Sequence, residues 1–505
     1  MPAKSKSGES KPAAKKATAR PKKTRVMFCT GEAVPFIKTG GLADVAGALP
    51  VELANQEMEP CIFLPEYRGI RDKFKLEPTG IKVSVPIQVY DDTVIKVGEV
   101  FTTVANGVRA FFLRNDEYYG REFLYGTPQG DYEDNAPRFV FYTRGAIEFI
   151  RAGGFSPQIL HCHDWQSALI PLYIKTLYKD DPAIGKIKTL LTIHNLGYQG
   201  VFWKYDLRQI GLDESYFTPE YLEFYGKVNF LKGGIIFADL INTVSRKYAT
   251  EIQTPQFGCS MEGILLTRTD DLYGIVNGID YNIWNPETDK KVAANFSAKD
   301  LSGKKVCKDA LKKECGLEPG NAPLIGIISR LAYQKGLDLI ADSLSEIINL
   351  GFQVVILGTG EAKYQKMFED HANMFPGKFA LKIAFNDALA HKIEAGVDVF
   401  LMPSRYEPCG LNQLYSMKYG TVPVVTATGG LDDTVDDFNA ETKAGTGFKM
   451  KEVSKDELMA VLKRVLDAYK DPKVWEKLVK NGMKKDFSWK TSAKAYLKLY
   501  NSLLK

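Results

Sequence analysis

Two doubly wound α/β domains facing across a cleft are predicted by three observations. Short apolar runs alternate with helical patterns, the alternation restarts after Asn285-Pro286, and glycine-rich loops follow the runs in both halves. The length of 505 residues points the same way, because single hydrophobic cores stop growing well below it. Near-continuous apolar runs, rather than strict alternation, signal parallel strands covered by helices on both faces.

The first half opens on a strand at 26–30, a loop holding Gly40 and Gly41, and a helix over about 42–55. Further strands are predicted at 61–64, 110–113, 159–162, 189–193, 241–244 and 274–276. The second half repeats the pattern at 324–329, 354–357, 380–385, 397–402 and 422–426, and the chain closes on an amphipathic helix over about 490–504. The predicted division is a disordered basic tail (1–24), a first domain (25–278) and a second (279–505). The hinge falls near 278–290, and the last helix is able to cross back.

Composition is that of a packed globular chain, 45% apolar and 25% charged. No apolar run approaches the ~18 residues that argue for a membrane span, so no membrane partner is expected. The net charge of +5 comes from the N-terminus: nine Lys or Arg against Glu9 alone in residues 1–25 leave the remaining chain at −3. A mildly acidic body gives no reason to expect nucleic acid. The tail reads as solvated or weakly anion-binding, with a plastid transit remnant or a cloning scar as alternatives. Seven cysteines form no C-x-x-C pair and most sit in apolar runs, which reads as reduced thiols in the cytoplasm, with the plastid as alternative.

The most informative stretch is Pro403-Ser-Arg-Tyr-Glu-Pro-Cys-Gly-Leu411, followed by Thr428-Gly-Gly-Leu431. It places Glu407 after an apolar strand and just before a helix, whose start would leave the N–H groups of Cys409, Gly410, Leu411 and Asn412 as unpaired donors. A carboxylate that orients hydroxyls beside amides that hold anionic oxygens suits a sugar carrying a leaving phosphate. Gly429 and Gly430 add a second turn able to cradle phosphate. In Lys38-Thr-Gly-Gly-Leu-Ala-Asp44, Gly40 and Gly41 permit tight geometry and close approach to a helix N-terminus, while Lys38 adds a point charge; a plain strand–helix turn with an exposed lysine is the alternative. Arg330 and Lys335, five positions apart after another strand, are placed to neutralise a diphosphate, with structural ion pairing as the alternative.

His161-Cys-His-Asp-Trp165 and Thr192-Ile-His-Asn-Leu-Gly-Tyr-Gln-Gly200 hold three of the five histidines. Their spacing lacks that of a structural zinc site, so no metal is expected; histidines bonding sugar hydroxyls or backbone are more economical. Asp164 doubles as a candidate N-cap. No D-x-D pair and no P-loop occur, which leaves Lys and Arg to balance the phosphates and argues against a P-loop kinase.

Together these segments, with Val276-Asn-Gly-Ile-Asp280, closely resemble the bacterial glycogen synthases and the plant and algal starch synthases over nearly all of residues 25–505. The resemblance implies two Rossmann-like domains in the GT-B arrangement and transfer of glucose from ADP-glucose to the non-reducing 4-OH of an α-1,4-glucan or malto-oligosaccharide, with retention. It implies no cofactor beyond the substrate nucleotide. By the same likeness Arg330, Lys335, Lys38, Gly40 and Gly41 hold the diphosphate, His163 touches the donor glucose, and Asp44 lies near sugar or acceptor. Asn277 is an active-site asparagine, and Glu407 faces the donor sugar with Cys409, Gly410 and Leu411 around it. Many related transferases carry a second Glu eight positions after the first; Tyr415 stands there instead, which fits the subfamily and leaves ribose recognition unassigned. The rival readings are a UDP-glucose-using or disaccharide-forming transferase of the same architecture and a non-catalytic glucan-binding protein. Oligomeric state is not legible.

Overall fold

The computed structural model describes residues 23–505 apart from 57, 90 and 91, so the basic segment read over 1–24 lies almost wholly outside the described residues. The first domain is built on a nine-stranded sheet. From one edge the strands run Leu272–Gly274, Leu240–Thr243, Lys188–Ile193, Ile159–His163, Thr24–Cys29, Met58–Pro65, Val108–Arg114, Asp92–Ala105 and Glu77–Val89. Seven of these pair in parallel. Val26, Met27, Phe28 and Cys29 are all fully buried, the signature of a strand covered on both faces.

The last two strands depart from the all-parallel expectation. Glu77–Val89 and Asp92–Ala105 form an antiparallel hairpin that extends the sheet through Val108–Arg114. Its Val83, Val85 and Ile87 are buried while Lys82, Ser84 and Gln88 are not, so one face packs and the other meets water.

The second domain carries a six-stranded sheet, in the order Phe379–Ile383, Gln353–Gly358, Leu324–Ile328, Val399–Met402, Val422–Thr426 and Phe448–Met450. Every pair in it is parallel. The last strand, Phe448–Met450, is an addition to those predicted.

Two strands of chain run side by side between the domains. Ile279 N–H donates to the Phe487 carbonyl at 2.8 Å, and Ser492 Oγ donates to the Val276 carbonyl at 2.8 Å. The final helix, Trp489–Leu503, then buries Trp489, Ala493, Tyr496, Leu499, Tyr500 and Leu503 in the core of the first domain.

Each sheet reverses its strand order once. In the first, the reversal lies between Thr24–Cys29 and Ile159–His163; in the second, between Leu324–Ile328 and Val399–Met402. Ligands of open α/β sheets bind in the crevice outside the carboxyl ends of the strands flanking such a reversal. The ends of these four strands and the loops that follow them carry Lys38, His163, Arg330 with Lys335, and Glu407.

Candidate active site

In the first domain, the loop after Thr24–Cys29 is pinned by a carboxylate that the sequence patterns did not reveal. Glu32, 4% exposed, accepts from Thr39 N–H at 2.5 Å, Thr39 Oγ1 at 2.5 Å, Gly40 N–H at 3.3 Å and Tyr125 Oη at 2.9 Å. Lys38 Nζ donates to Asp44 Oδ1 at 2.7 Å, so these two predicted site residues are paired with each other. Burial raises the Asp44 carboxyl, and Lys38 pulls it back. Gly40 is extended at φ −149°, so tight geometry is not why glycine stands there. Instead, a Cβ at Gly40 would meet nothing within 4 Å, and one at Gly41 would meet only Leu411 of the second domain, at 3.9 Å. The two glycines leave the start of the helix Gly41–Ala54 open toward the other domain.

His163 ends the strand Ile159–His163 and is fully buried, its ring stacked on Phe28 at 5.6 Å. Its Nδ1 shares a hydrogen bond with His194 Nε2 at 2.9 Å, while Nε2 has no partner among the described residues. Burial, then the neighbouring His161 and His194, hold the His163 imidazole far below its ordinary titration range, so it is neutral. His194 is held in place by its own N–H, which donates to Asp164 Oδ1 at 2.7 Å. Asp164 adopts φ +53°, and burial pushes its carboxyl up to about 7.

In the second domain, Lys335 Nζ donates to Glu407 Oε2 at 2.5 Å, and Ser404 Oγ donates to the same oxygen at 3.0 Å. Glu407 is 7% exposed, so an ammonium and a hydroxyl fix an almost buried carboxylate in one orientation. Arg330 is exposed, and its guanidinium reaches Tyr198 Oη of the first domain at 3.4 Å. The N–H groups of Cys409, Gly410, Leu411 and Asn412 take no partner among the described residues. Gly410 sits at φ +70°, where a Cβ would also meet Gln413 Oε1 at 2.5 Å. Asn277, at the domain crossing, leaves its own buried Oδ1 without a partner among the described residues.

Gly429 and Gly430 correct the sequence reading. Gly429 N–H donates to Glu251 of the first domain at 3.1 Å, and Gly430 N–H to the Glu407 and Pro408 carbonyls at 3.1 Å. Committed in this way, neither amide is available to phosphate. Each glycine is needed because backbone passes behind it: a Cβ would lie 2.0 Å from the Glu407 carbonyl oxygen or 2.0 Å from that of Cys409. The turn buttresses the Glu407 loop. It also forms part of a clasp between domains, in which Asp433 Oδ2 accepts from Arg246 and Lys247 N–H at 2.5 and 3.1 Å.

Tyr415 is buried. Its ring stacks on Trp284 at 3.9 Å, and Trp284 stacks on His391 at 3.8 Å, anchoring the chain just past the crossing. Among the described residues no group of three or more His, Cys, Asp or Glu side chains is arranged to hold a metal ion. No described helix is long and apolar enough to cross a membrane.

A family model of the starch synthase catalytic domain matches residues 25–267, and one of glycosyl transferases group 1 matches 310–485. The glycogen synthase of Koribacter versatilis is 46% identical over 94% of this chain and 97% of its own. The chain belongs to the glycogen synthase family. Another member, from Fervidobacterium nodosum, is 44% identical over 94% of this chain and 98% of its own. The catalytic domain of Starch Synthase IV from Arabidopsis thaliana, solved with ADP and acarbose, matches with a TM-score of 0.84 and 32% identity over 95% of this chain and 99% of that one. Sucrose-phosphate synthase from Thermosynechococcus elongatus matches at a TM-score of 0.60 and 16% identity, which shows the shared fold alone. As a member of the glycogen synthase family the chain is a glucosyltransferase of GT-B architecture, a glycogen or starch synthase.

Proposed function

We propose that this enzyme transfers glucose from ADP-glucose to the non-reducing 4-OH of an α-1,4-glucan with retention, in the crevice between the two reversal points. The observation that carries the reading is their meeting: Tyr198 reaches Arg330 at 3.4 Å, and Gly41 faces Leu411, from which a Cβ would lie 3.9 Å, so the loops of one sheet close on those of the other. The ADP and acarbose bound by the Arabidopsis relative support the nucleotide and the glucan class.

Retention by double displacement needs a carboxylate directly under the anomeric carbon. Three carboxylates of the site are already engaged: Glu407 by Lys335 and Ser404, Asp44 by Lys38, and Asp164 by His194 N–H. A front-face displacement therefore fits better. The C1–O bond to phosphate breaks, the acceptor O4 bonds to C1 on the same face, and the 4-OH proton goes to the departing phosphate oxygen, giving ADP. Arg330 and the open N–H groups of residues 409–412 stabilise the charge that grows on the diphosphate. Lys335 adds positive potential and holds Glu407 in the orientation in which it accepts from donor hydroxyls. His163, neutral and with one nitrogen unpartnered, bonds a donor hydroxyl rather than supplying charge.

Lys38 and Asp44 lie across the crevice, where opening their pair would free an ammonium for phosphate and a carboxylate for acceptor hydroxyls. Burial of six of the seven free cysteines at least partly suits a reducing compartment such as the cytoplasm. The test is incubation with labelled ADP-glucose or UDP-glucose and a malto-oligosaccharide, with product length and anomeric configuration read out. Elongation by α-linked units from ADP-glucose is the expected result; label from UDP-glucose alone, or a product of one fixed length, would overturn the assignment.

A further inference from the structure

A small three-stranded antiparallel sheet rides on the first domain, its strands Val201–Trp203, Lys227–Asn229 and Glu223–Phe224 in that order across it. Its inner side is anchored: Phe202 packs on Trp165 at 5.6 Å and on Phe230 at 4.6 Å, and Val228 is fully buried. On the outer side Lys227 is the cross-strand partner of both Trp203 and Phe224. Trp203 is 66% exposed and meets Tyr205 edge-on at 4.4 Å; Tyr225, 79% exposed, meets Phe224 edge-on at 4.9 Å. Exposed apolar rings rimmed by lysines are unusual on a protein surface and mark a place where something binds.

The backbone adds a second, independent sign. Tyr225 and Gly226 make the two-residue turn between strands at φ +51° and +76°. Such turns are the province of Asn, Asp and Gly, and a bulky residue at positive φ is an outlier. Beyond its edge contact with Phe224, a tyrosine held there with its ring in water adds little to folding stability.

The ridge lies within a short reach of the crevice along the chain. The same segment that leaves His194 against His163 passes Tyr198, which touches Arg330, and reaches Trp203 five residues later, at most ~17 Å of extended chain. Gly200 is pressed on Trp165 so closely that a Cβ would lie 2.6 Å from the indole, which fixes the ridge relative to His163.

We propose that Trp203, Tyr205 and Tyr225 form a platform that stacks the glucosyl rings of a long α-glucan whose growing end lies in the crevice. This rests on the function proposed above. The apolar C–H faces of pyranose rings match aromatic faces, and Lys227, cross-strand partner of Trp203, is placed to bond hydroxyls around the ring edges, while Lys204 Nζ lies over one face of Tyr205 at 4.8 Å.

The test uses the full chain carrying Trp203→Ala or Tyr225→Asn. Asn suits the left-handed turn, so the second variant should melt at or above the wild-type temperature, separating binding from folding. Retardation of each variant in native gels containing glycogen should weaken roughly tenfold, and KM for glycogen should rise to match. KM for maltotriose, KM for the donor and kcat should stay put, because a three-unit acceptor fills the crevice without reaching the ridge. Undiminished glycogen retention by folded variants would overturn the platform. So would a Trp203→Ala protein that drops from dimer to monomer without glycogen, which would make the ridge a contact between copies. Wild-type protein that transfers no glucose to any acceptor would instead count against the function proposed above, and gel retention reads the platform separately from it.

Discussion

Arg330→Ala gives the cleanest separation of chemistry from folding. The guanidinium is exposed, and its hydrogen bond among the described residues is a 3.4 Å approach to Tyr198 Oη. Surface changes of this kind alter stability by no more than about 0.5 kcal/mol, a shift of roughly 2 °C at most in a protein of this size. Loss of one preorganised charge donor from the growing diphosphate charge should lower kcat by roughly 10²–10³, or ~2.7–4 kcal/mol of barrier. Arg330→Lys keeps the charge but not the planar fork and should recover only part of the rate. Initial rates with saturating ADP-glucose and glycogen, beside thermal melting, decide the matter. A kcat within a few-fold of wild type refutes the role assigned to Arg330, and a melting point lowered by many degrees refutes the claim that the residue is structurally idle.

Three further outcomes follow from the geometry. Lys335→Met strands the almost buried Glu407 with Ser404 alone, so stability should fall by about 3 kcal/mol together with activity; adding Glu407→Gln should restore much of the melting temperature and none of the rate. Gly429→Ala, at φ +44° and with a Cβ 2.0 Å from the Glu407 carbonyl oxygen, should cost about 2–4 kcal/mol and reduce kcat by shifting the Glu407 loop; unchanged melting and rate would show the buttress to be dispensable. Fully buried Glu394, bonded by Ser416 Oγ at 2.7 Å with Lys304 nearby, is pushed up to about 8 by burial. It keeps its proton when folded and loses it when unfolded, so its contribution to stability declines as pH rises toward 8, by up to about 1.4 kcal/mol per pH unit. Glu394→Gln cannot ionise, and denaturant unfolding between pH 6 and 8 should show a shallower decline than wild type.

What could be read from the sequence was whatever depends on local pattern. Runs such as Val26–Cys29 and Val422–Thr426 are apolar on both faces, so their parallel, covered state shows in composition alone. Strand-end loops then pointed to Lys38, His163, Arg330, Lys335 and Glu407, and the structure gathers all five at the two reversal points. The hairpin Glu77–Ala105 was overlooked because alternation, not continuity, is its mark: Ile81, Val83, Val85 and Ile87 recur at every second position. Glu32 and Glu251 escaped for a different reason. Each acts on backbone amides, Glu32 on those of Thr39 and Gly40, Glu251 on Gly429 almost two hundred positions away, and no motif records where a carboxylate's partner amide will fold to. The same blindness made Gly429-Gly430 look like an anion cradle when its amides were already spoken for.

The return of the last helix to the first core has a bearing on how the molecule is made. During synthesis the first sheet emerges early, yet Trp489, Tyr496 and Tyr500, which complete its packing, leave the ribosome last. The early half must wait, with that flank uncovered, while some two hundred residues of an entire second unit fold like a cargo spliced between its penultimate and final pieces. A chain cut short by a handful of residues at its end would damage the half made first.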